Sequence, residues 1–249
     1  MESVSSDSTR LASSAIWVAP SQCSRPLAAE HGATSANFAR SGPPSGNPDH
    51  RMKLEAVVPV LRRLGFRKRA GHIFTMDLAP GVLGWLGLNR ATRHRARGEV
   101  EVNPVVGVRF QEIERVVQEC RSAKFHPYVP PTTSSPLGYL MPERRYKAWI
   151  FVEGSGERSV AEDMGAAIDA YGVPFMRSVA DLGSLRRRMD ERSGFEHQNA
   201  YCRPVAALLA GDATEAGARL DEELEALGTR SDPAATDFRS FASALRKRL

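Results

Sequence analysis

His72-Ile-Phe-Thr-Met-Asp-Leu78, then Ala79-Pro80-Gly81, then Val82-Leu-Gly-Trp-Leu-Gly-Leu88 is the stretch that decides the fold. His72, Phe74, Met76 and Leu78 fall on alternate positions, which is the period of a strand. Pro80-Gly81 supplies turn chemistry. Val82–Leu88 reads as a second strand, with Gly84 and Gly87 allowing a bulge or close packing. A hairpin of this kind needs helices or further strands to bury its apolar side.

Upstream, Leu54, Val57, Val58, Leu61 and Leu64 lie at offsets 0, 3, 4, 7 and 10, one face of a helix over about Met52–Leu64. Pro59 predicts a kink or a late start. Gly65 is the expected stop, followed by Phe66 and the cationic Arg67-Lys68-Arg69. Residues 1–51 differ in character: they contain no Lys, no sustained hydrophobic period, and the linker-like run Arg40-Ser-Gly-Pro-Pro-Ser-Gly-Asn-Pro48. They read as a disordered or spurious N-terminal extension, dispensable for folding.

Downstream, Asn89–Gly98 is a polar, strongly basic connection and Glu99–Val108 a third strand, where Pro104 implies an edge or a bulge. Phe110, Ile113, Val116, Val117 and Cys120 line one face of a second helix. Ser122–Pro136 is long, Pro-rich and without period, the kind of loop that inside a compact domain is functional or disordered. Leu137–Leu140 and Tyr146–Val152 predict a hairpin around Met141–Arg145. From Ser159 the chain reads as helical. One helix closes at Gly172, a short piece opens at Pro174, and another carries Leu182, Leu185 and Met189. Gln198–Ala210 and Ala213–Leu227 predict an antiparallel helical hairpin similar to one tetratricopeptide-type unit, packed through Leu208, Leu209, Leu220 and Leu224. Ser231-Asp232-Pro233 is a helix start, a cap followed by Pro at the first helical position. The expected fold class is α+β. An antiparallel sheet with two packed helices (52–153) precedes a helical C-terminal lobe (159–249).

The order helix, Leu64-Gly65-Phe66-Arg67-Lys68-Arg69, then a strand containing Phe74, resembles the opening of the bacterial family called domain of unknown function 4304. The similarity covers about Leu54–Val117. Gly84-Trp-Leu-Gly-Leu-Asn-Arg90 departs from the polar strand of that pattern. The resemblance implies an α+β fold, and it carries no activity and no catalytic residues.

The charge balance is 34 Lys and Arg against 29 Asp and Glu, formally +5, with a pI near 9.4. Arg10, Arg25, Arg40 and Arg51 cancel Glu2, Asp7, Glu30 and Asp49, so the excess belongs to the patterned region. No apolar run reaches the ~20 residues that span a bilayer, and Ala15–Ala19 is too short for a signal-peptide core. A cytoplasmic protein without membrane contact is the expectation. Cys23, Cys120 and Cys202 are far apart, and the last two read as small buried thiols.

No reaction is spelled out. His72, His94, His126 and His197 match no metal spacing. There is no Walker loop and no Gly-x-Ser-x-Gly elbow. Gly81-x-x-Gly84-x-x-Gly87 lacks the strand-turn-helix setting of a dinucleotide site. No cofactor, metal or catalytic residue is expected. The reading is a non-catalytic binding or regulatory module that contacts another protein through its helical lobe. Arg67, Lys68, Arg69, Arg93, Arg95 and Arg97 form a candidate anion-binding face for weak contact with nucleic acid or another polyanion, if the first helix packs beside the basic connection. The alternative is a small enzyme whose pocket lies between the sheet and the loop 122–145, with His126, Tyr139 and Arg144. A binding module presents an open face, whereas an enzyme presents a closed pocket holding at least two titratable groups of shifted pKa.

Overall fold

A computed structural model describes residues 49–91, 96, 98–191 and 196–249, with the side chains of 49–54, 196 and 197 left aside. Residues 1–48 of the predicted extension 1–51 and the predicted anion-site residues Arg93, Arg95 and Arg97 lie outside the described residues, and residues 49–51, assigned to that extension, belong to the first helix. Helix α1 (Asp49–Arg63) begins three residues before the predicted start and runs through Pro59, which is exposed. Gly65 ends it at φ 87°, a conformation a Cβ would strain. Phe66 N–H then reaches back to the Leu61 carbonyl at 2.9 Å, the long bond of a glycine-terminated helix end. Phe66 drops into the core, 1% exposed, as does Phe74.

The sheet is antiparallel and six-stranded. Strands β1 (Arg67–Lys68), β2 (Ile73–Ala79), β3 (Val82–Ala91) and β4 (Glu99–Phe110) follow one another in space. Helix α2 (Gln111–Cys120) leaves β4 directly. β5 (Thr133–Pro136) and β6 (Trp149–Val152) both return to the far edge of β4. β5 pairs with Val105–Val108 and β6 with Glu99–Val102.

Two expectations are corrected here. Leu137–Tyr139 is a 3-10 turn, and the 137–152 segment forms no hairpin, because both flanking strands find partners on β4. Pro104 marks neither an edge nor a bulge. Gln111 N–H bonds to the Gly81 carbonyl and Leu88 N–H to that of His72. Leu88 therefore spends its backbone on β2, and its partner Pro104 directs its nitrogen away from β3. That nitrogen points at the gap between β5 and β6, where a central strand tolerates a missing donor.

Helices α3 (Glu157–Ala167) and α4 (Val173–Ser178) are joined without a break by a π turn, Ile168–Gly172. Pro174 has no N–H to continue the α ladder. Val173 N–H reaches the Ile168 carbonyl, five residues back. The chain predicted to stop at Gly172 instead turns through it. Gly172 lies against the sheet, where a Cβ would come 3.0 Å from Val106.

The remaining helices are α5 (Leu182–Asp190), α6 (Glu196–Leu209), α7 (Ala213–Leu227) and α8 (Pro233–Arg246). Asp232 caps α8 through the N–H groups of Ala234 and Ala235, with Pro233 at the first turn. α6 and α7 pack as an antiparallel pair about the tight turn at Gly211. Of the predicted seam residues, Leu220 is fully buried and Leu208 and Leu224 pack against the core, whereas Leu209 points out, 38% exposed. Ala216 on α7 and Cys202, Val205 and Ala206 on α6 are buried as well. A single apolar cluster runs from Val57 to Leu245, so the sheet and all the helices share one core. No described helix is long and apolar enough to cross a membrane.

Candidate functional site

Side chains of β3 and β4 alternate between two faces of the sheet. Phe74, Leu86, Val106 and Val108 turn toward α1, α3 and α4 and are buried. The opposite face is set by register. Thr75, Trp85 and Gly107 form one row, Ile73, Gly87 and Val105 the next, then Asn89 with Asn103, then Ala91, Glu101 and Ile150. One end of this face is covered by the loop 121–132. At the other end Asn103 donates to the Lys147 carbonyl and the buried Glu101 accepts the Tyr146 hydroxyl, and Asn89 and Ala91 stay exposed.

Arg109 holds the loop down. Its side chain leaves the covered end of that face and is 0% exposed. The guanidinium donates to the carbonyls of His126, Pro127 and Pro130 and to the Gln111 side chain. It also faces the Glu114 carboxylate at 3.5 Å. Glu114 accepts the Thr132 hydroxyl at 2.8 Å, and that oxygen accepts Phe110 N–H at 3.0 Å. The buried Cys202 thiol lies 3.8 Å from the same carboxylate. Burial pushes the Glu114 carboxyl above its usual range, with Arg109 and the Thr132 hydroxyl pulling it back. Burial pushes the Cys202 thiol well above its usual range too. Burial also opposes the charge of Arg109, but a guanidinium with this many acceptors stays protonated. Arg109, Glu114 and Cys202 are thus sealed inside, and the first two hold the loop in place.

The loop so held sets Tyr128 over the sheet. Trp85 Nε1 donates to the Tyr128 carbonyl at 2.8 Å. The Arg69 guanidinium stands over the Tyr128 ring, 4.6 Å from its centroid, and Arg69 Nε donates to Thr75 Oγ1 at 2.8 Å. Thr75 is opposite Trp85 across β2 and β3. Arg69, Thr75, Tyr128 and Trp85 are therefore one interlocked group. The Trp85 ring lies over Gly87, where a Cβ would come 2.3 Å from it. Beside it opens a shallow depression of about 730 Å³, lined by residues 70–73, 85 and 87–90.

Replacing Gly87 by Leu should push the Trp85 ring off its seat and break its bond to Tyr128. The expected cost is about 1–3 kcal/mol, the range for overpacking. A denaturant midpoint together with the Trp85 indole N–H exchange rate checks it. An unchanged, protected indole proton would rule out the seat.

The residues singled out from the sequence separate. Arg67 pairs with Asp77 at 3.3 Å, both well exposed. Lys68 projects from the opposite face to Arg67 and Arg69, since it aligns with Phe74. Arg69 enters the interlocked group. His126 contributes its carbonyl to Arg109, and its ring meets Tyr128 edge-on at 6.4 Å. Tyr139 and Arg144 lie exposed in the 137–148 segment. Among the described residues no hydrogen bond, ion pair or ring contact joins them to His126. His72 and Arg90 share the helix-covered side, by alternation, with Arg90 NH1 2.9 Å from His72 Nε2. An arginine is only a donor, so that nitrogen is the unprotonated one. Burial lowers the pKa of Arg90. Among the described residues no three His, Cys, Asp or Glu side chains group as a metal site.

Trp85, Thr75 and Arg109 were missed from the sequence. A signal existed for Trp85: it stands between two strand glycines, a spacing that marks a ring or backbone lying close. Arg109 gave none, since one more arginine in an Arg-rich chain carries no mark of burial. No family model, no curated protein and no solved structure matches this chain.

Proposed function

We propose that this chain is a non-catalytic binding module whose ligand surface is the open face of the sheet beside Trp85. One observation carries the reading. The depression is open and its lining lacks Glu114 and Cys202, whose pKa values burial raises, while Arg90, a burial-shifted group that does line it, is a guanidinium that keeps its proton. Catalysis by proton transfer needs its perturbed acid or base where a substrate can reach it. A mostly apolar concavity with a few polar groups suits binding. The resemblance to domain of unknown function 4304 adds no activity to this reading.

A small enzyme using His126, Tyr139 and Arg144 finds less support, because these residues do not converge. A second reading, contact with another protein, draws on Tyr139, Tyr146, Ile150 and Val152. These four exposed large side chains all belong to the 139–152 segment. Ile150 stands on the same open face as Glu101, which accepts the Tyr146 hydroxyl.

The test is a metabolite panel read by the indole N–H resonances of the full chain, with product analysis of every tube. Binding predicts that a subset of compounds shifts the Trp85 signal and is recovered unchanged. Turnover of any of them would replace this reading with an enzymatic one.

A further inference from the structure

We propose that the depression beside Trp85 takes the carboxyl end of an extended peptide, paired with the backbone of Arg90 and neutralised by its guanidinium. This rests on the binding reading above and names the ligand class for it.

The depression is a gap at the edge of the sheet. The β1–β2 hairpin closes on itself, with Arg69 N–H bonded to the Ile73 carbonyl at 2.9 Å and Ile73 N–H to that of Ala70 at 3.0 Å. β3 runs past this tip. Among the described residues its last bond to the hairpin is from Leu88 N–H to the His72 carbonyl at 3.0 Å, whereas its pairing with β4 continues to Ala91. The tip, 70–73, and the overrunning strand, 87–90, line the gap together. Side chains of both sheet faces therefore border it, Trp85 and Asn89 from one, His72 and Arg90 from the other. Backbone groups along a strand alternate in direction. Leu88 faces the hairpin, so Arg90 faces the same way, into the gap. Among the described residues neither the N–H nor the carbonyl of Arg90 has a hydrogen-bond partner. A bare strand edge is a template for another main chain.

Charge decides which end of a peptide fits. β3 runs away from the tip, so a strand added antiparallel runs toward the tip and brings its carboxylate there. A strand added parallel would bring its ammonium group. The Arg90 guanidinium is half-buried, with NH1 2.9 Å from His72 Nε2, and among the described residues no carboxylate pairs with it. Burial lowers its pKa with no acid to oppose the shift, so an incoming carboxylate supplies the missing counter-charge. Facing residues of an antiparallel pair exchange both their bonds. The last residue of the peptide donates its N–H to the Arg90 carbonyl, and its carboxylate accepts the Arg90 N–H. The next outward-facing position, Leu88, is already taken by His72, so the added chain ends here. The volume, about 730 Å³, is that of a small-ligand site.

The experiment titrates the full chain with acetyl-dialanine bearing a free carboxylate. Its C-terminal amide, its form methylated on the last peptide nitrogen, and acetate are the comparisons. The backbone amide resonance of Arg90 is the readout. The free acid should shift it saturably. The amide, the methylated form and acetate should each bind about tenfold more weakly or worse, as loss of a charge-assisted pair or of the main-chain bonds implies. Arg90→Met should weaken the free acid about tenfold or more, and Arg90→Lys, which keeps the charge and loses the fork, should fall between. Arg67→Met, outside the gap, should bind as the parent does. A thermal midpoint for each variant separates lost binding from lost fold, and the peptide comparisons need no variant at all. If the amide, the methylated form or acetate binds as tightly as the free acid, the proposal is overturned while the sheet face remains a ligand surface. The same follows if folded Arg90→Met binds the free acid as the parent does. If no peptide moves Arg90 while a compound of the metabolite panel moves Trp85, the ligand class is wrong. If neither signal moves, the binding reading falls as well.

Discussion

Arg109→Met should destabilise the protein by about 3–5 kcal/mol, the usual loss when one partner of a buried ion pair is removed. The substitution keeps most of the apolar stem and removes the donors. Glu114 is then left buried with only the Thr132 hydroxyl and the Cys202 thiol beside it. The carbonyls of His126, Pro127 and Pro130 lose their shared donor at the same time. The loss has a pH signature. A free glutamate in the unfolded chain titrates near about 4.3. In the fold, burial raises the Glu114 carboxyl, and Arg109 is what pulls it back. Without Arg109 the native state holds that proton to higher pH than the unfolded state does. Stability therefore falls as pH rises through the window above about 4.3, because the native state binds more protons there. Urea unfolding near pH 5 and near pH 8 checks it, with the larger deficit expected near pH 8. An equal or smaller deficit near pH 8 would mean that Glu114 carries no buried charge. Arg109→Met combined with Glu114→Gln should lose the slope and keep part of the deficit.

Leu220→Asp should cost at least about 4 kcal/mol, from lost apolar packing together with a carboxyl placed where nothing can pair with it. Leu220 is fully buried and lies in the cluster that α7 shares with α6 and α8. The same residue type two positions before the turn gives the contrast. Leu209 is 38% exposed, and Leu209→Ala should change stability by only about half a kcal/mol. Thermal unfolding of both variants by far-ultraviolet circular dichroism decides it. Comparable losses at the two positions would refute the helical seam described above. Because one apolar cluster joins the helices to the sheet, the Leu220 variant should lose both in a single transition, with no folded sheet left behind.

Local chemistry made much of the fold legible. The alternation of His72–Leu78 and the turn at Pro80-Gly81 are short-range signals, and β2 and β3 lie where they place them. Gly65 and Asp232 act through backbone groups within a few residues of themselves, so the end of α1 and the start of α8 were readable. Pro104 misled, because a proline reports only that a donor is missing, and the direction that donor would have faced depends on strand pairing. Leu137–Leu140 misled for a related reason. A four-residue apolar run fits a strand or a turn equally well until its neighbours are known. Leu208 and Leu209 show the same limit on a helix, where adjacent leucines cannot both face one partner and the angle between α6 and α7 selects between them.

The candidate site was less legible than the fold. Arg69 was identifiable as one cation in a basic run, and Tyr128 as one aromatic in a proline-rich loop. Nothing in the order of residues joins positions 69, 75, 85 and 128.

By itself the sequence determined the α+β class, the helices and strands whose periods are strong, and the helix ends set by Gly65 and Asp232. These rest on interactions between residues close along the chain. The tertiary structure alone decided that β5 and β6 share one edge of β4, that Arg109 is buried as a clamp for the loop over the sheet, and that Arg69, Thr75, Tyr128 and Trp85 meet. Those depend on which distant backbones pair and on which side chains then lose their water, and neither is encoded within any single segment.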